Sequence, residues 1–279
     1  MNKSGSFCVL LSAIFFSCGG LFYKITPWNS LAICSARSFI ALIVIFVYLL
    51  IIKHKFVFNK YVVLAALANA CTAILYSLAN KMTTAGNTIV LQFTMPVYVI
   101  IITSLIYKIK PTKLELRTCL FVLIGIIIFF IDSLSAGNMI GNILALVSGV
   151  TYALYFIFNK NENSDPFTAI LISLVLTSFI GLPQLLKTDI AGSSPNALLA
   201  VLGLGLIQQA GGHLMLAYGL KNTPTVTASL LSGLEPILNP ILVAIFYNEL
   251  LTPLSLIGAI IVLVTIISYN VIVSKKEID

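Results

Sequence analysis

The chain has 279 residues, of which 59% are hydrophobic and 9% are charged, and its mean hydropathy is +1.07. A soluble domain normally has about a quarter of its residues charged, so a soluble globular protein is excluded. The net charge of +7 could indicate a nucleic-acid partner or a membrane topology, and the positions of the cations decide between them.

Apolar segments of about 20 residues, the length that spans a bilayer as a helix, follow one another along the chain. We expect ten transmembrane helices, at about residues 5–25, 30–52, 61–79, 84–106, 115–132, 140–158, 167–186, 197–218, 224–246 and 252–273. These segments do not alternate polar and apolar residues, as the strands of a membrane barrel would. The sequence therefore predicts an all-α membrane protein.

The first segment allows two interpretations. MNKSGSFCVLLSAIFFSCGG, residues 1–20, could be a secretory signal peptide with Cys18 as a lipid-attachment site, or it could be a retained helix. The internal repeat described below requires a helix at this position. We therefore expect the segment to stay in the membrane.

The cations lie mainly on one side of the predicted topology. With a cytoplasmic N-terminus, that side holds Lys3, Lys53, Lys55, Lys60, Lys108, Lys110, Lys113, Arg117, Lys160, Lys221, Lys275 and Lys276, and the other side holds Lys24, Lys81 and Lys187. Because Lys and Arg collect in cytoplasmic loops, this bias predicts that both termini are cytoplasmic. The basic composition is thus a topology signal, and no nucleic-acid partner is expected.

The two halves of the chain resemble each other. At an offset of 140 residues, KMTTAGNTIVLQFTMPV (81–97) aligns with KNTPTVTASLLSGLEPI (221–237). At an offset of 136, GSFCVLLSAIFFSCGGLFYK (5–24) aligns with GNILALVSGVTYALYFIFNK (141–160). The informative identities are Lys81 with Lys221, Pro96 with Pro236, Gly5 with Gly141, and Lys24 with Lys160.

This similarity predicts two repeats, 1–136 and 137–279, with five helices each. An odd number of crossings makes the second repeat enter the membrane from the opposite side. Inverted repeats of this kind are typical of secondary transporters, in which the solute site lies near the membrane midplane between the repeats.

Three motifs carry a resemblance to a known family: LANKMTTAGNTIVLQFTMPVYV (78–99), YGLKNTPTVTASLLSGLEPIL (218–238) and YNELLTPLSLIGAIIVL (247–263). With them, essentially the whole chain resembles the drug/metabolite transporter superfamily, in particular its EamA-type members with ten helices. The resemblance implies two inverted five-helix repeats and transport of small metabolites. The first half departs from the NELLTP pattern, since it reads YKIKPTKLE and has no acidic residue at Ile109. The family transports many kinds of solute, so the resemblance names no substrate.

Of the nine acidic residues, only Glu235 falls in the middle of a predicted helix, within SGLEPILNP (232–240). A carboxylate there costs about 2.5–3.5 kcal/mol on insertion scales unless it is paired, protonated or solvated. Pro236 and Pro240 remove two backbone donors beside it, and Pro96 removes one in the first half. We expect interrupted helices that face a cavity at these prolines. Glu235 then either lines the translocation path or is a protonated structural acid.

Polar residues recur at helical spacing on other predicted helices, as at Asn69, Thr72, Tyr76 and Asn80. Polar faces avoid lipid, so they either line a cavity or form hydrogen bonds between helices, worth about 0.6 kcal/mol each. Around Glu235 we favour the cavity. The predicted binding residues are Ser17, Tyr76, Asn80, Gln92, Tyr98, Tyr152, Tyr155, Gln208, Gln209, His213, Glu235 and Asn239.

Two further residues have alternative roles. His213 could relay protons, although a lone histidine on a helix is more often a packing partner. Arg37 lies seven residues into the second predicted helix, and we expect it to extend towards the outer interface, with an ion pair or contact to a substrate anion as the alternatives.

These features predict a secondary transporter of the plasma membrane. It would move an amino acid, an amine or a similar zwitterionic or cationic solute by alternating access, with lipids and a coupling proton or exchange solute as partners. The alternatives are a passive facilitator or channel and an intramembrane transferase. The transferase would need converging acids, bases or metal ligands, which the sequence lacks, so no enzyme, cofactor or metal site is expected.

Overall fold

The computed structural model describes the backbone of residues 3–83, 85–108, 110–131, 138–247 and 252–275. Within these ranges, the side chains at positions 3, 24, 80, 81, 85, 86, 130, 240, 243, 244, 247, 270 and 273–275 are not described. The described residues contain helices and no strand, so the predicted all-α class is confirmed.

The helices follow one another along the whole chain. They are α1 (Lys3–Ser17), α2 (Gly19–Ile25), α3 (Ser30–Ile51), α4 (Lys60–Met82), α5 (Ala85–Gln92), α6 (Met95–Tyr107), α7 (Lys113–Phe130), α8 (Met139–Asn159), α9 (Pro166–Leu186), α10 (Pro195–Gly203), a π-helix (Leu204–Gly211), α11 (Gly212–Asn222), α12 (Thr225–Ser232), α13 (Glu235–Tyr247) and α14 (Pro253–Lys275).

Within the described residues, seven helical stretches are long and apolar enough to cross a membrane. A shorter apolar stretch lies at Pro253–Tyr269. Large apolar side chains are also exposed on the outer surface, among them Ile51, Leu105 and Phe179. A surface of this kind is compatible with lipid tails, which are as apolar as these side chains. The chain is a multi-pass membrane protein.

Polar residues fix where several long helices begin. The side chains of Asn29, Asn59 and Asn138 accept hydrogen bonds from first-turn N–H groups of α3, α4 and α8. Thr112 and Glu115 form a reciprocal capping box at the start of α7. The first N–H groups of a helix have no acceptor within the helix, so these side chains satisfy them where the apolar segments begin.

Helices at equivalent positions of the two halves pack against each other and run antiparallel. In the pair α3 and α9, Ser35 Oγ donates to Ser178 O at 2.6 Å, and Thr177 Oγ1 donates to Ser38 Oγ at 3.0 Å. Later residues of α3 therefore meet earlier residues of α9.

The pair α7 and α14 shows the same arrangement. Ser255 Oγ donates to Phe129 O at 2.8 Å, while Gly125 faces Val262. In both pairs, the helix of the second half thus runs in the opposite direction to the equivalent helix of the first half.

Two glycines make matched contacts between the halves, with α1 packed on α11 and α8 packed on α4. A Cβ atom at Gly5 would lie 2.7 Å from Asn222 Cβ, and one at Gly141 would lie 2.8 Å from the backbone carbon of Met82. Gly5 and Gly141 are 136 positions apart, and Met82 and Asn222 are 140 apart. The offsets that align the two halves in sequence therefore also relate their contacts in space.

Two predicted helices are each divided in two at matched positions. The divisions fall at residues 93–94, between α5 and α6, and at residues 233–234, between α12 and α13. Pro96 and Pro236 are the second residues of α6 and α13, where a missing N–H breaks no internal hydrogen bond. Each division therefore comes just before its proline, and Glu235 begins a helix. Pro240 lies within α13, and its side chain is outside the described residues.

Candidate functional site

A cavity of about 380 Å³ lies between the halves and is lined by side chains from both. Eight of the predicted binding residues line it: Tyr76, Gln92, Tyr152, Gln208, Gln209, His213, Glu235 and Asn239. The cavity extends along α3 from Arg37 to Ser30, the first residue of that helix. It is therefore a chamber with both polar and apolar lining inside an apolar protein, reaching towards the Ser30 end of the helices.

The other predicted binding residues have different positions. Ser17 supports the wall, because its hydroxyl donates to the backbone oxygen of Glu235 at 3.2 Å. Tyr98 packs against the apolar core without lining the cavity. The side chain of Asn80 lies outside the described residues.

Tyr155 does not line the cavity. It is fully buried in the apolar core, and its hydroxyl has no hydrogen-bond partner among the described residues. Its ring stacks on that of Tyr152, with 6.4 Å between the centroids. The two tyrosines lie on one stripe of α8, but Tyr155 is one turn further along, where the helices pack closely and leave no space.

Glu235 stands where the broken helix enters the cavity. It is the first residue of α13 and is only partly buried, although the residues around it on α12 and α13 are largely buried. Among the described residues, none makes a hydrogen bond or ion pair with its carboxylate. The carboxylate is therefore available to a cationic group or a proton inside the cavity.

Arg37 also lines the cavity, which corrects the expectation that it extends to the outer interface. Its side chain is 8% exposed, and Nη1 donates to Gln208 Oε1 at 3.1 Å. Its guanidinium carbon lies 5.5 Å from the ring centroid of Tyr23. Arg37 follows Ser30 by seven positions, about two helical turns, and so lies on the same face of α3, the face that lines the cavity.

Gln208 and Gln209 both face the cavity because the helix changes its winding there. Leu204–Gly211 forms a π-helix, in which the backbone hydrogen bonds span five residues. The wider turn lets two consecutive amides reach the same space, and both are buried. Such local expansions occur frequently at functional sites.

His213 is held in one orientation in the cavity wall. Its Nδ1 lies 2.8 Å from Gln209 O, and because a carbonyl oxygen only accepts, Nδ1 is the protonated nitrogen. Nε2 then faces Asn69 Nδ2 at 3.5 Å as an acceptor. The Phe16 ring packs edge-on against the imidazole. His213 therefore both packs and presents a polar edge near the cavity.

A charged cluster lies beyond the other end of α3. The buried carboxylate of Asp165, the N-cap of α9, accepts from His54 Nε2 at 2.7 Å and forms an ion pair with Lys221 Nζ at 2.8 Å. Thr168 adds donors from its hydroxyl, at 2.6 Å, and from its backbone N–H. Burial raises the pKa of Asp165, but the hydrogen bonds from Lys221, Thr168 and His54 outweigh it and lower this pKa below its ordinary value. The cluster joins the α3–α4 connection to α9 and α11 at this end.

Other proteins resemble this chain in sequence or in fold. An uncharacterized transporter of Archaeoglobus fulgidus is 25% identical over 264 residues, covering 94% of this chain and 94% of the relative. The uncharacterized transporter YwfM of Bacillus subtilis is 27% identical over 202 residues, covering 71% of this chain and 68% of the relative. A solved structure matches 98% of this chain and 99% of its own, with a TM-score of 0.84 and 12% identity, and so shares the fold.

One family model matches the chain twice, and the two matches together cover nearly all of it. The model of the EamA-like transporter family matches twice, at residues 3–131 and at residues 139–271. The two matches correspond to the two halves that align with each other in sequence. The chain is a member of the EamA-like transporter family with a duplicated EamA domain.

Proposed function

We propose that the protein is a secondary transporter that moves a small zwitterionic or cationic solute, such as an amino acid or amine, across the plasma membrane. The observation that carries this proposal is the cavity between the halves, into which the broken helix α12–α13 presents Glu235. Cavities lined by interrupted helices between repeats are the usual solute sites of secondary transporters.

The proposed topology has ten membrane crossings, in two inverted repeats with both termini in the cytoplasm. The antiparallel packing of α3 on α9 and of α7 on α14 supports the inversion, because each pair joins equivalent helices. The excess of Lys and Arg in alternate connections supports the orientation. In this topology the Asp165 cluster is cytoplasmic and the Ser30 end of the cavity faces outwards.

The difference between the two faces supports alternating access. The cavity extends towards Ser30, whereas Asp165, His54 and Lys221 tie the helices together at the opposite end. At an offset of 136, Asn29 in the first repeat matches Asp165, and Ile190 in the second repeat matches His54. The charged residues of the cluster thus have uncharged equivalents at the opposite end of the helices. The ionic ties therefore belong to the cytoplasmic face, and inward opening requires them to separate.

The wall of the cavity suits a solute with an ammonium group. Glu235 supplies the negative charge, and Tyr76 and Tyr152 supply aromatic surface that can contact a cation. The same carboxylate can instead carry a coupling proton, in which case solute and proton compete for it.

The substitution Glu235→Gln tests the proposal in proteoliposomes. The solute is first chosen by a thermal-shift screen of amino acids, amines and nucleosides, because a bound ligand raises the melting temperature. We expect uptake to fall at least about tenfold and to lose its pH dependence, which corresponds to about 1.4 kcal/mol or more. Trans-stimulation by internal solute would separate a carrier from a passive channel.

Glu162→Gln is the matched control, since it makes the same change at an exposed position between α8 and α9. It should transport like the wild type. Unchanged uptake with unchanged pH dependence in Glu235→Gln would remove this carboxylate from the mechanism.

A further inference from the structure

We infer that Arg37 forms a carboxylate-binding subsite in the cavity, so that the transported solute carries a carboxylate as well as an ammonium group. This inference rests on the proposed function and narrows its substrate class from amines and amino acids to zwitterions. Its starting point is a buried cation that forms no ion pair within the part of the chain that the structure describes.

Arg37 has no acidic partner among the described residues. The ion pairs found there both involve Asp165, at the other end of α3, and none includes Arg37 or Glu235. A buried charge is costly unless it is paired and hydrogen-bonded, and a guanidinium stays protonated in proteins. Binding of an anion beside Arg37 would offset the free-energy cost of burying its unpaired guanidinium in this wall.

The guanidinium is held in place but is not saturated with acceptors. Gln208 accepts from Nη1 at 3.1 Å and Tyr23 packs beside the group, so its orientation is fixed from two sides. Nε is buried and has no hydrogen-bond partner among the described residues. Arginine presents five N–H donors in a planar fork that fits the two oxygens of a carboxylate. A bound carboxylate would supply the acceptors that are missing here.

Glu235 provides the opposite charge in the same cavity. Arg37 comes from α3 in the first half and Glu235 from the start of α13 in the second, and no ion pair joins them. Separate, unpaired charges of opposite sign complement a molecule with an anionic and a cationic group. An amine would leave Arg37 unpaired, and a monocarboxylate would leave Glu235 unpaired.

The remaining lining sets the size and character of the rest of the solute. Phe16, Ile89 and Leu216 contribute apolar surface, and the volume of about 380 Å³ lies near the lower end of small-molecule sites, about 300–1,000 Å³. This space suits a single amino acid with an apolar or mixed side chain. One charged anchor lies on each half, Arg37 on the first and Glu235 on the second, so that both halves hold the solute.

The test compares pairs of solutes that differ only in the carboxylate. Purified protein in proteoliposomes is assayed for uptake of the proteinogenic L-amino acids and of the amines formed by removing their carboxylates, with amino acid amides as a neutral third series. We expect the wild type to take up at least one amino acid at least tenfold faster than its amine and its amide. In Arg37→Gln this ratio should fall at least tenfold, and in Arg37→Lys it should be intermediate because the charge stays and the fork is lost.

The outcomes separate this inference from the proposed function. Equal uptake of amines and their parent amino acids by the wild type overturns the carboxylate subsite and leaves a transporter of cations. An unchanged amino acid to amine ratio in Arg37→Gln also overturns it. Absence of uptake and of thermal stabilisation across all three series contradicts both proposals. The wild-type selectivity needs no variant, so the test stands even if Arg37→Gln fails to fold.

Discussion

Gly20 lets the side chain of Asn239 lie directly against α2 in the wall of the cavity. A Cβ atom at position 20 would lie 2.9 Å from Asn239 Cγ, and the amide oxygen would be closer still. Gly20→Ala should therefore displace the Asn239 side chain. The substitution should not destabilise α2, because alanine has a higher helix propensity than glycine. We expect uptake to fall about tenfold with a melting temperature within a few degrees of the wild type, measured in proteoliposomes and by thermal unfolding in detergent.

Gly211→Ala is the matched control for Gly20→Ala. A Cβ atom at Gly211 would lie 3.2 Å from the Phe15 ring and 3.6 Å from Leu206 O, and Gly211 does not line the cavity. This variant should keep most of its transport. If Gly20→Ala also transports normally, the position of Asn239 does not matter for the solute.

Individual cavity residues were predictable where their chemistry conflicts with lipid. Glu235, Gln208 and Gln209 stand out because polar groups in apolar segments need a partner or water. Arg37 was misjudged, since a long cationic side chain can either reach an interface or turn inwards, and only the Gln208 and Tyr23 contacts decide between them. Gly20 gave no signal, because its importance comes from a neighbour more than 200 positions away in sequence.

At the scale of helices, Asp165 fixes the start of α9 to two other parts of the chain. Its pKa is lowered in the folded state, so its contribution to stability is full above the pKa of the unfolded chain and is lost as pH falls through the folded value. We expect the melting temperature of the wild type to fall as pH decreases from about 4 to about 2, the range below the ordinary Asp pKa of about 3.9. Asp165→Asn should show a smaller fall over this range.

At neutral pH, Asp165→Asn should also lower the melting temperature by at least about 4 °C. Breaking a buried ion pair costs about 3–5 kcal/mol, and the cost is smaller here because the Lys221 side chain is 40% exposed. Each kcal/mol moves the midpoint of a large domain by about 2–4 °C. Asp189→Asn, at an exposed position of the α9–α10 connection, is the control and should leave the midpoint unchanged. Equal pH profiles for Asp165→Asn and the wild type would show that the cluster adds no stability.

The sequence indicated the helix divisions better than the change in helix type. Pro96 and Pro236 marked both divisions to within three residues, because proline fixes its own φ and lacks a donor. The π-helix at Leu204–Gly211 had no such marker, since neither its glutamines nor its glycines distinguish five-residue from four-residue hydrogen bonding. Its winding depends on packing against α3 and α1, and that packing exists only in the folded protein.

At the scale of the whole molecule, the repeat offsets relate the helix contacts of one half to those of the other, because inverted copies of one unit bury the same faces. The contacts of Gly5 with α11 and of Gly141 with α4 follow from this rule. Orientation in the membrane has a different origin, the distribution of Lys and Arg among connections that pack against little else. It therefore needs a test of its own.

Lys53 and Asp189 provide that test, because they occupy matched positions at an offset of 136 and both are exposed. In a cysteine-free background, Asp189→Cys should react with a membrane-impermeant maleimide in intact cells, whereas Lys53→Cys should react only after permeabilisation. Asn163→Cys, in the exposed α8–α9 connection, should behave like Lys53→Cys. Labelling of Lys53→Cys and Asp189→Cys from the same side would place both halves in one orientation and remove the basis for alternating access. The reverse pattern would keep the inversion but put both termini outside, because equivalent positions of inverted repeats must face opposite sides in either case.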